Sequence, residues 1–435
     1  MTTAASAPAP HAGEVRTLHL SELIKRPVTA RDGEPLGRIC DVVVRLRGSE
    51  LPLVIGGVAS VGGRQVFVPL EQVSSFDGEV LQLTSARLDL RQFERRPGEV
   101  LLRADVLDHR LIDVEAGRLA KAVDVELERR AGDWIVTGVD THRPRRRLFG
   151  RGARDSRQRA FREWDRFEPL IGHSASAVLR GPFARIRRLK PAQIADLLEE
   201  ASKAEETEIL GQVHADPELE ADVFEELAED RATRLLEART DGEIAEVLSR
   251  MRADDAADAV AELPQHRRQA VLDLMPAGQR TKVMTLLGFN PTSAGGLMGV
   301  DYLALPEDVA VSDALDAVRR SGTLQPEALT SIHAVDQQGR LQAVARLVSL
   351  LQADLGARLG EVSDADPVRV GADTDVVDVA VLMSDYNLIT IPVVDDHRHM
   401  IGIITVDDVL EATLPEDWRR REAAQPPDAH AGNGA

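Results

Sequence analysis

A short stretch near the middle of the chain concentrates carboxylates on one face of a predicted helix. Its sequence is MRADDAADAVAELP, Met251–Pro264. Asp254 and Asp258 are four residues apart, so both side chains lie on the same face. No basic residue lies between them, and two facing carboxylates about 5 Å apart repel by about 3 kcal/mol at an effective dielectric constant of about 20. The face is therefore either solvated or a site for a cation.

If the face binds a cation, its oxygen donors suit a hard divalent ion. Such an ion keeps several waters, so a few carboxylates are sufficient. No cage of histidine and cysteine is visible in the sequence, and the site needs none. The structural alternative is that Asp254 caps the helix, while Asp255 and Asp258 interact with the positive end of the helix dipole.

Composition and charge limit the classes of protein. A length of 435 residues allows several domains. The net charge of −19 argues against general nucleic-acid binding and for solubility or cation partners. The single cysteine, Cys40, fits a reducing cytoplasm. No secretory signal is recognisable, and the longest apolar run, Leu51–Val61, is too short to cross a bilayer. We therefore expect a cytoplasmic protein without a transmembrane segment.

The elements that must position the acidic face begin with β-strands. Short apolar or alternating runs separated by glycine turns predict an all-β, barrel-like region over residues 15–95. A second, divergent β unit is predicted over residues 96–142, because Asp32–Val44 resembles Val114–Leu127. The pattern D-G-x-x-x-G-R-I-x-D-V in the first of these segments resembles the PRC-barrel family, which implies a binding or scaffolding module. The alternative is a plain β-domain whose glycines serve turns.

A basic linker is predicted over residues 143–188. Its positive charge in an acidic protein is compatible with a contact to phospholipid or nucleic acid, with Phe161, Trp164 and Phe167 as an apolar stripe at helical spacing. We favour the alternative of a solvated linker that packs one aromatic edge on a neighbouring domain, because charge runs are usually linkers or tails.

Helices and then a mixed α/β repeat follow the linker. Short units with helical apolar periodicity predict a central all-α superhelical domain over residues 189–290, whose helices must stack because isolated helices of this length are marginal. Two α/β repeats are predicted over residues 291–356 and 357–415, and the second is clearer because it ends in a helix, Val406–Thr413. Residues 416–435 are predicted to be a disordered tail.

Two motifs in this region resemble known families. The segment IPVVDDHRHMIGIITVDDVL resembles the second half of a CBS repeat, and the tandem arrangement resembles a CBS pair. The order of the helical domain with MRADDAADAVAELP, the segment NPTSAGGLM (Asn290–Met298) and the CBS pair is similar to the cytosolic part of MgtE-type magnesium channels. The resemblance covers residues 185–415. The family's membrane domain would follow the CBS pair, where this sequence has a short tail.

The resemblance implies a magnesium sensor. In the family, Mg²⁺ bridges acidic faces of the helical domain and the CBS domain, and the two separate at low Mg²⁺. The implied ligands in this chain are Asp254, Asp258 and Asp222 in the helical domain, with Asp408 and Glu411 in the second CBS repeat.

The sequence also departs from the family and leaves structural alternatives for these ligands. Two family carboxylates fall on Asn387 and Val377, so we expect fewer or weaker ions. Asp408 follows Thr405 by three residues, which is a capping-box arrangement. Asp222 and Glu411 are compatible with solvated helix faces.

An adenine nucleotide site is doubtful by the same comparison. CBS pairs often hold the ribose with a T/S-x-x-D element, and the second repeat keeps it as Thr405 and Asp408. The first repeat has Arg346–Ser349 at the equivalent place, so both key side chains are lost, and this is the repeat to which the family's ATP site would map. Asp408 cannot easily serve ribose and metal together.

Other chemistry finds little support in the sequence. His397 and His399 are better explained by a solvated hairpin turn than by a transition-metal site, since further ligands are lacking. No arrangement typical of a nucleophile, a P-loop or a dinucleotide fingerprint is recognisable. We therefore do not expect an enzyme.

The sequence predicts a Mg²⁺-responsive regulatory protein that homodimerises through its CBS pair. Without a pore of its own, it would act on an unidentified protein partner such as a membrane transporter, in the cytoplasm or at the inner membrane face. Two alternatives stay open. One is an interaction scaffold whose sensor fold no longer binds ligand, and the other is a cytosolic subunit of a magnesium transporter.

Overall fold

The computed structural model describes residues 16–48, 50–76, 78–84, 89–142, 160–170, 185–322 and 324–414. The chain divides into two compact units, Met1–Glu226 and Leu227–Ala435. None of the helices in the described ranges is both long and apolar enough for a membrane span. The predicted order of an all-β region, a helical domain and a C-terminal α/β repeat pair is confirmed.

The β region of the first unit forms two sheets. The larger has the order β1-β10-β11-β4-β3-β2-β6, with β12 on β11, β5 on β4 and β7 on β3, and the smaller has the order β13-β8-β9. The strands are β1 Thr17–His19, β2 Pro27–Thr29, β3 Pro35–Arg47, β4 Glu50–Val61, β5 Arg64–Pro69, β6 Leu81–Gln82, β7 Glu99–Leu101, β8 Arg110–Asp113, β9 Arg118–Lys121, β10 Asp124–Arg130, β11 Asp133–Asp140, β12 Phe161–Glu163 and β13 Phe167–Pro169. A one-turn helix, α1 (Leu20–Leu23), follows β1.

The two halves of the β region exchange strands. β1 pairs with β10 of the second half, and β7 pairs with β3 of the first half. An aspartate in each half also accepts hydrogen bonds from the other half. Asp124 accepts hydrogen bonds from the Ser21 N–H at 3.0 Å and the Ser21 hydroxyl at 2.6 Å. Asp41 accepts from the N–H groups of Arg103 and Ala104 at 2.7 and 3.0 Å. Because both halves also share a hydrophobic core, the two similar stretches fold as one interlocked body.

Part of the predicted basic linker belongs to this body, which corrects the prediction for those residues. Phe161 starts β12, a strand paired with β11, whereas helical spacing was expected. Trp164 and Phe167 are fully buried in the β core, and β13 pairs with β8. Burial of these large aromatic side chains stabilises the folded state. They therefore lie in the β core and not in a solvated linker. Residues 143–159 and 171–184 lie outside the described residues.

Short helices follow in the first unit: α2 Pro191–Glu200, α3 Lys203–Val213 and α4 Pro217–Glu225. The sequence explains where two of them begin. Pro occupies the first turn of α2 and of α4, and the Asp216 side chain accepts a hydrogen bond from the Leu219 N–H at the start of α4. Arg110 of β8 joins this helical part to the β region by an ion pair with Glu205 of α3.

The second unit continues with five helices of two to three turns: α5 Glu229–Glu237, α6 Asp241–Leu248, α7 Ala253–Glu262, α8 Gln265–Leu274 and α9 Ala277–Leu286. Each contributes one apolar face, and α7 packs on α9 while α6 packs on α8. Helices this short are marginal alone, so their stability rests on this packing.

Two α/β repeats complete the second unit. Each has a three-stranded sheet in which a short strand pairs parallel with the first strand of an antiparallel hairpin. The first repeat comprises β14 Ala304–Pro306, α11 Val311–Arg320, β15 Ser331–Val335, β16 Leu341–Arg346 and α12 Leu347–Gln352, and the second comprises β17 Val370–Gly371, α13 Val376–Tyr386, β18 Thr390–Val394, β19 Met400–Thr405 and α14 Val406–Thr413. The repeats meet through a shared apolar cluster that includes Leu341, Val394 and Met400.

Candidate metal site

Helix α7 presents the acidic face because its other face is buried. Ala253, Ala256, Ala257 and Val260 are buried against neighbouring helices, which leaves the carboxylates on the opposite side. The N-cap is Arg252, so the alternative that Asp254 caps the helix is wrong. Asp254 instead lies in the first turn, where the helix dipole favours its negative charge.

The carboxylates of Asp254 and Asp258 repel each other and the acidic side chains near them. Burial and the nearby Asp408 carboxylate raise the pKa of Asp254, while the Arg252 guanidinium opposes the shift. Loss of hydration and the charges of Asp254, Glu229 and Glu262 raise the pKa of Asp258 to about 6. The Asp258 side chain keeps contact with solvent, which screens part of this repulsion. The face is therefore electrostatically unfavourable in its ionised state.

Arg252 connects the acidic face to the second repeat, a role that was not predicted from the sequence. Its Nε donates to Asp255 Oδ2 at 2.6 Å, and its Nη1 donates to Asp408 Oδ1 at 3.1 Å. Asp408 lies on α14 of the second repeat, so this guanidinium joins the helical domain to that repeat. No basic residue lies between Asp254 and Asp258. Arg252, however, occupies the N-cap of α7, three residues before Asp255, and reaches the acidic face from there. The three-residue spacing of Arg252 and Asp255 could have predicted their ion pair from the sequence.

Asp408 forms the capping box that was the structural alternative. Its Oδ2 accepts hydrogen bonds from the Thr405 N–H and the Thr405 hydroxyl, each at 2.8 Å, and the Asp408 N–H donates to Thr405 Oγ1 at 3.3 Å. Both residues are buried. One Asp408 oxygen therefore holds the start of α14, and the other accepts from Arg252.

The segment Asn290–Met298 holds the helical domain on the second repeat. It contains a one-turn helix, α10 (Ala294–Leu297). The N–H of Ala294 donates to the carbonyl of Thr374 at 2.7 Å, and the N–H of Gly295 donates to the carbonyl of Ala372 at 2.8 Å. A β-carbon on Gly295 would lie 2.6 Å from the Phe289 ring. Glycine is required at this close approach, so this part of the motif serves docking.

The remaining predicted ligands lie as follows. Asp222 is on α4 of the first unit and Glu411 is one turn after Asp408 on α14, and both side chains are exposed. Asn387 ends α13 in the left-handed conformation, φ +50°, which asparagine tolerates well. Val377 is 60% exposed on α13. The ligand roles of the five carboxylates stay predictions.

The donors fit Mg²⁺ in kind but do not form a ready-made cage. Asp254, Asp258 and Asp408 offer oxygen atoms, which Mg²⁺ prefers. Within the described ranges, however, no group of three or more His, Cys, Asp or Glu residues is arranged to hold a metal. A bound ion would therefore take most of its ligands from water unless the side chains rearrange.

The nucleotide element differs between the repeats. Thr405 and Asp408 are engaged with each other in the second repeat, whereas Arg346 begins α12 of the first repeat without a side-chain cap. In the hairpin turn of the second repeat, Asp395 accepts from the His399 ring at 2.9 Å and from two backbone N–H groups. This network stabilises the turn and engages the His399 ring.

A cleft of about 1500 Å³ opens in the β region. Arginines line it, but acidic residues accompany them. Arg45 and Arg96 each lie 4.0 Å from buried Glu99, and Arg95 pairs with Asp105 at 3.0 Å. None of the predicted ligand residues lines this cleft, and its mixed charge favours no particular ligand.

Comparison with known proteins gives three domain matches. The PRC-barrel domain model matches residues 16–87, the MgtE intracellular N domain model matches residues 189–292, and the CBS domain model matches residues 359–415.

Similar proteins include magnesium transporters and their cytosolic parts. The magnesium transporter MgtE of Thermus thermophilus is 37% identical over 181 residues, which is 40% of this chain and 40% of that protein. MgtE of Enterococcus faecalis is 25% identical over 130 residues, 30% of this chain and 28% of that protein. A crystal structure of the cytosolic domain of the Mg²⁺ channel MgtE in complex with ATP is 30% identical and covers 52% of this chain and 93% of that chain, with a TM-score of 0.49.

The chain thus spans at most 40% of the length of these two transporters. It contains a PRC-barrel domain, an MgtE intracellular N domain and a CBS domain, and the relatives it matches are magnesium transporters of the MgtE type.

Proposed function

We propose that the protein is a magnesium-responsive regulator in which Mg²⁺ bridges the acidic face of α7 and the start of α14. The observation that carries the proposal is the contact of Arg252, at the start of α7, with Asp408 Oδ1 of a different domain at 3.1 Å, where the Asp408 carboxylate also raises the pKa of Asp254. A divalent cation held by Asp254 and Asp258 would turn this repulsion into attraction. Metal binding would then be coupled to the contact between the two domains.

The similarity to MgtE transporters supports a regulatory role in magnesium transport. The chain would act on a membrane transporter through the PRC-barrel domain or the CBS pair, in the cytoplasm or at the inner membrane face. An adenine nucleotide stays doubtful, because Thr405 and Asp408 are hydrogen-bonded to each other. A metal-independent scaffold is the second candidate, and it is favoured by the engagement of both Asp408 oxygens.

Titration with Mg²⁺ tests the proposal. We expect the wild-type protein to become more compact and more protease-resistant as Mg²⁺ rises from micromolar to millimolar concentrations. The double variant Asp254→Asn/Asp258→Asn should lose this response, because it removes the two carboxylates of the α7 face. Small-angle scattering and limited proteolysis measure both effects.

The matched control is Asp385→Asn, which removes one charge from an exposed position on α13. This variant should respond like the wild type. A wild type that does not respond would favour the scaffold, and a response that persists in the double variant would show that the α7 face is not the site.

The raised pKa of Asp258 predicts a pH dependence of stability. Because the folded-state pKa of Asp258 is raised to about 6, ionisation costs stability above that pH, and the cost disappears as pH falls toward the unfolded-state value of about 3.9. Without Mg²⁺, Asp258→Asn should therefore raise the free energy of unfolding at pH 7 by at most about 1 kcal/mol, since solvent screens the exposed charge. At pH 4.5 the difference should shrink.

Urea unfolding of wild type and variant at both pH values measures this difference. Histidine titration contributes equally to both proteins and cancels. A variant that is less stable than the wild type at pH 7, or a difference that grows on acidification, would contradict the repulsion assigned to this face.

We further propose that the CBS pair forms a homodimer. Apolar side chains more than half exposed lie on the helices of both repeats, namely Val348 and Leu351 on α12 and Val377 and Val381 on α13. Val377 and Val381 are four residues apart and share one helix face. Exposed apolar area of this kind is typical of an association surface, and a second copy would cover equivalent helices of both repeats.

The double variant Val377→Asp/Val381→Asp should convert the dimer to a monomer, because it places charges in a contact that excludes water. Light scattering coupled to gel filtration measures the mass. Leu274→Asp, on an exposed position of α8, is the control and should leave the mass unchanged. A wild-type monomer at micromolar concentration would exclude this assembly.

A further inference from the structure

We infer that Arg252 is a tethered cation that holds the helical domain on the second CBS repeat without metal, and that Mg²⁺ must displace it from Asp408. This inference rests on the proposed function of the same acidic face. It adds a built-in competitor that sets the Mg²⁺ concentration at which the site responds.

The geometry shows how Arg252 is held. Its guanidinium contacts Asp255 through Nε at 2.6 Å and Asp408 through Nη1 at 3.1 Å. The Arg252 side chain is 25% exposed and that of Asp408 is 9% exposed, so water screens the pair only in part. The rigid, planar guanidinium can contact two carboxylates in different directions. Asp255, on the same helix as the arginine, therefore orients it toward the second repeat before the domains meet.

The hydrogen bonds of Asp408 make the competition direct. Its Oδ2 accepts from Thr405 twice and holds the start of α14. Its Oδ1 accepts from Arg252. A divalent cation that binds Oδ1 would stand beside the guanidinium, and two cations repel strongly where water is scarce. Binding of the guanidinium to Asp408 Oδ1 therefore weakens binding of a metal ion to the same oxygen, and the reverse is also true.

Competition between Arg252 and Mg²⁺ affects the contact between the helical domain and the second repeat in two ways. First, the positive charge of Arg252 keeps the domains together in part of the population without metal, and Mg²⁺ increases that part. Second, the metal must outbind the arginine, which raises the concentration for half-maximal response, as any competing bound state does. Arg252 thus weakens the metal response while it holds the metal-free contact.

The test compares Arg252→Gln with the wild-type full chain. Without Mg²⁺, in EDTA, the variant should be less compact by small-angle scattering and more rapidly cleaved. In a Mg²⁺ titration its midpoint should fall by about fivefold or more, within the usual range of coupling between sites. Arg252→Lys keeps the charge but cannot reproduce the two-way contact, so its midpoint should lie between those of the wild type and Arg252→Gln.

Arg234→Gln is the charge-matched control, because Arg234 pairs with Asp230 on its own helix, α5. It should match the wild type in both measurements, and circular dichroism checks that each variant folds. A responding Arg252→Gln with an unchanged or higher midpoint overturns the competition and leaves the proposed function standing. Absence of any Mg²⁺ response in all the proteins overturns the proposed function and the competition with it, while compactness in EDTA still decides whether Arg252 holds the metal-free contact.

Discussion

Carboxylates from two domains meet at the start of α7, and the second unit depends on how their charge is balanced. Asp254 stays close to the Asp408 carboxylate, because the opposite face of α7 is packed on its neighbours. Asp408 cannot retreat either, since it caps α14. A positive charge is therefore needed for a stable contact, and Arg252 supplies one.

The surrounding structure brings these groups together with backbone contacts that carry no charge. The segment Asn290–Met298 adds hydrogen bonds to the second repeat, and its glycines allow the close approach. Because these backbone contacts carry no charge, they hold the domains together independently of the charges on the acidic face. The first repeat packs on the second through a shared apolar cluster.

The sequence predicted the elements that have strong local signals. The closing helix Val406–Thr413 and the hairpin before it were recognisable from periodicity and turn residues. The strand exchange in the β region was not, because long-range pairing leaves no local pattern, and Phe161–Phe167 resembled a helical stripe although tertiary packing makes it strand and core. The acidic face was found from the spacing of Asp254 and Asp258. The role of Arg252 was missed because its partner Asp408 is distant in the sequence.

The most direct measurement is an anomalous difference map from crystals of the full chain grown with Mn²⁺, an oxygen-preferring ion that can replace Mg²⁺. The account predicts a peak bound by Asp254 or Asp258 together with Asp408, and an Arg252 side chain that no longer contacts Asp408. A map without a peak at this place, with Arg252 still on Asp408 at saturating Mn²⁺, would contradict it.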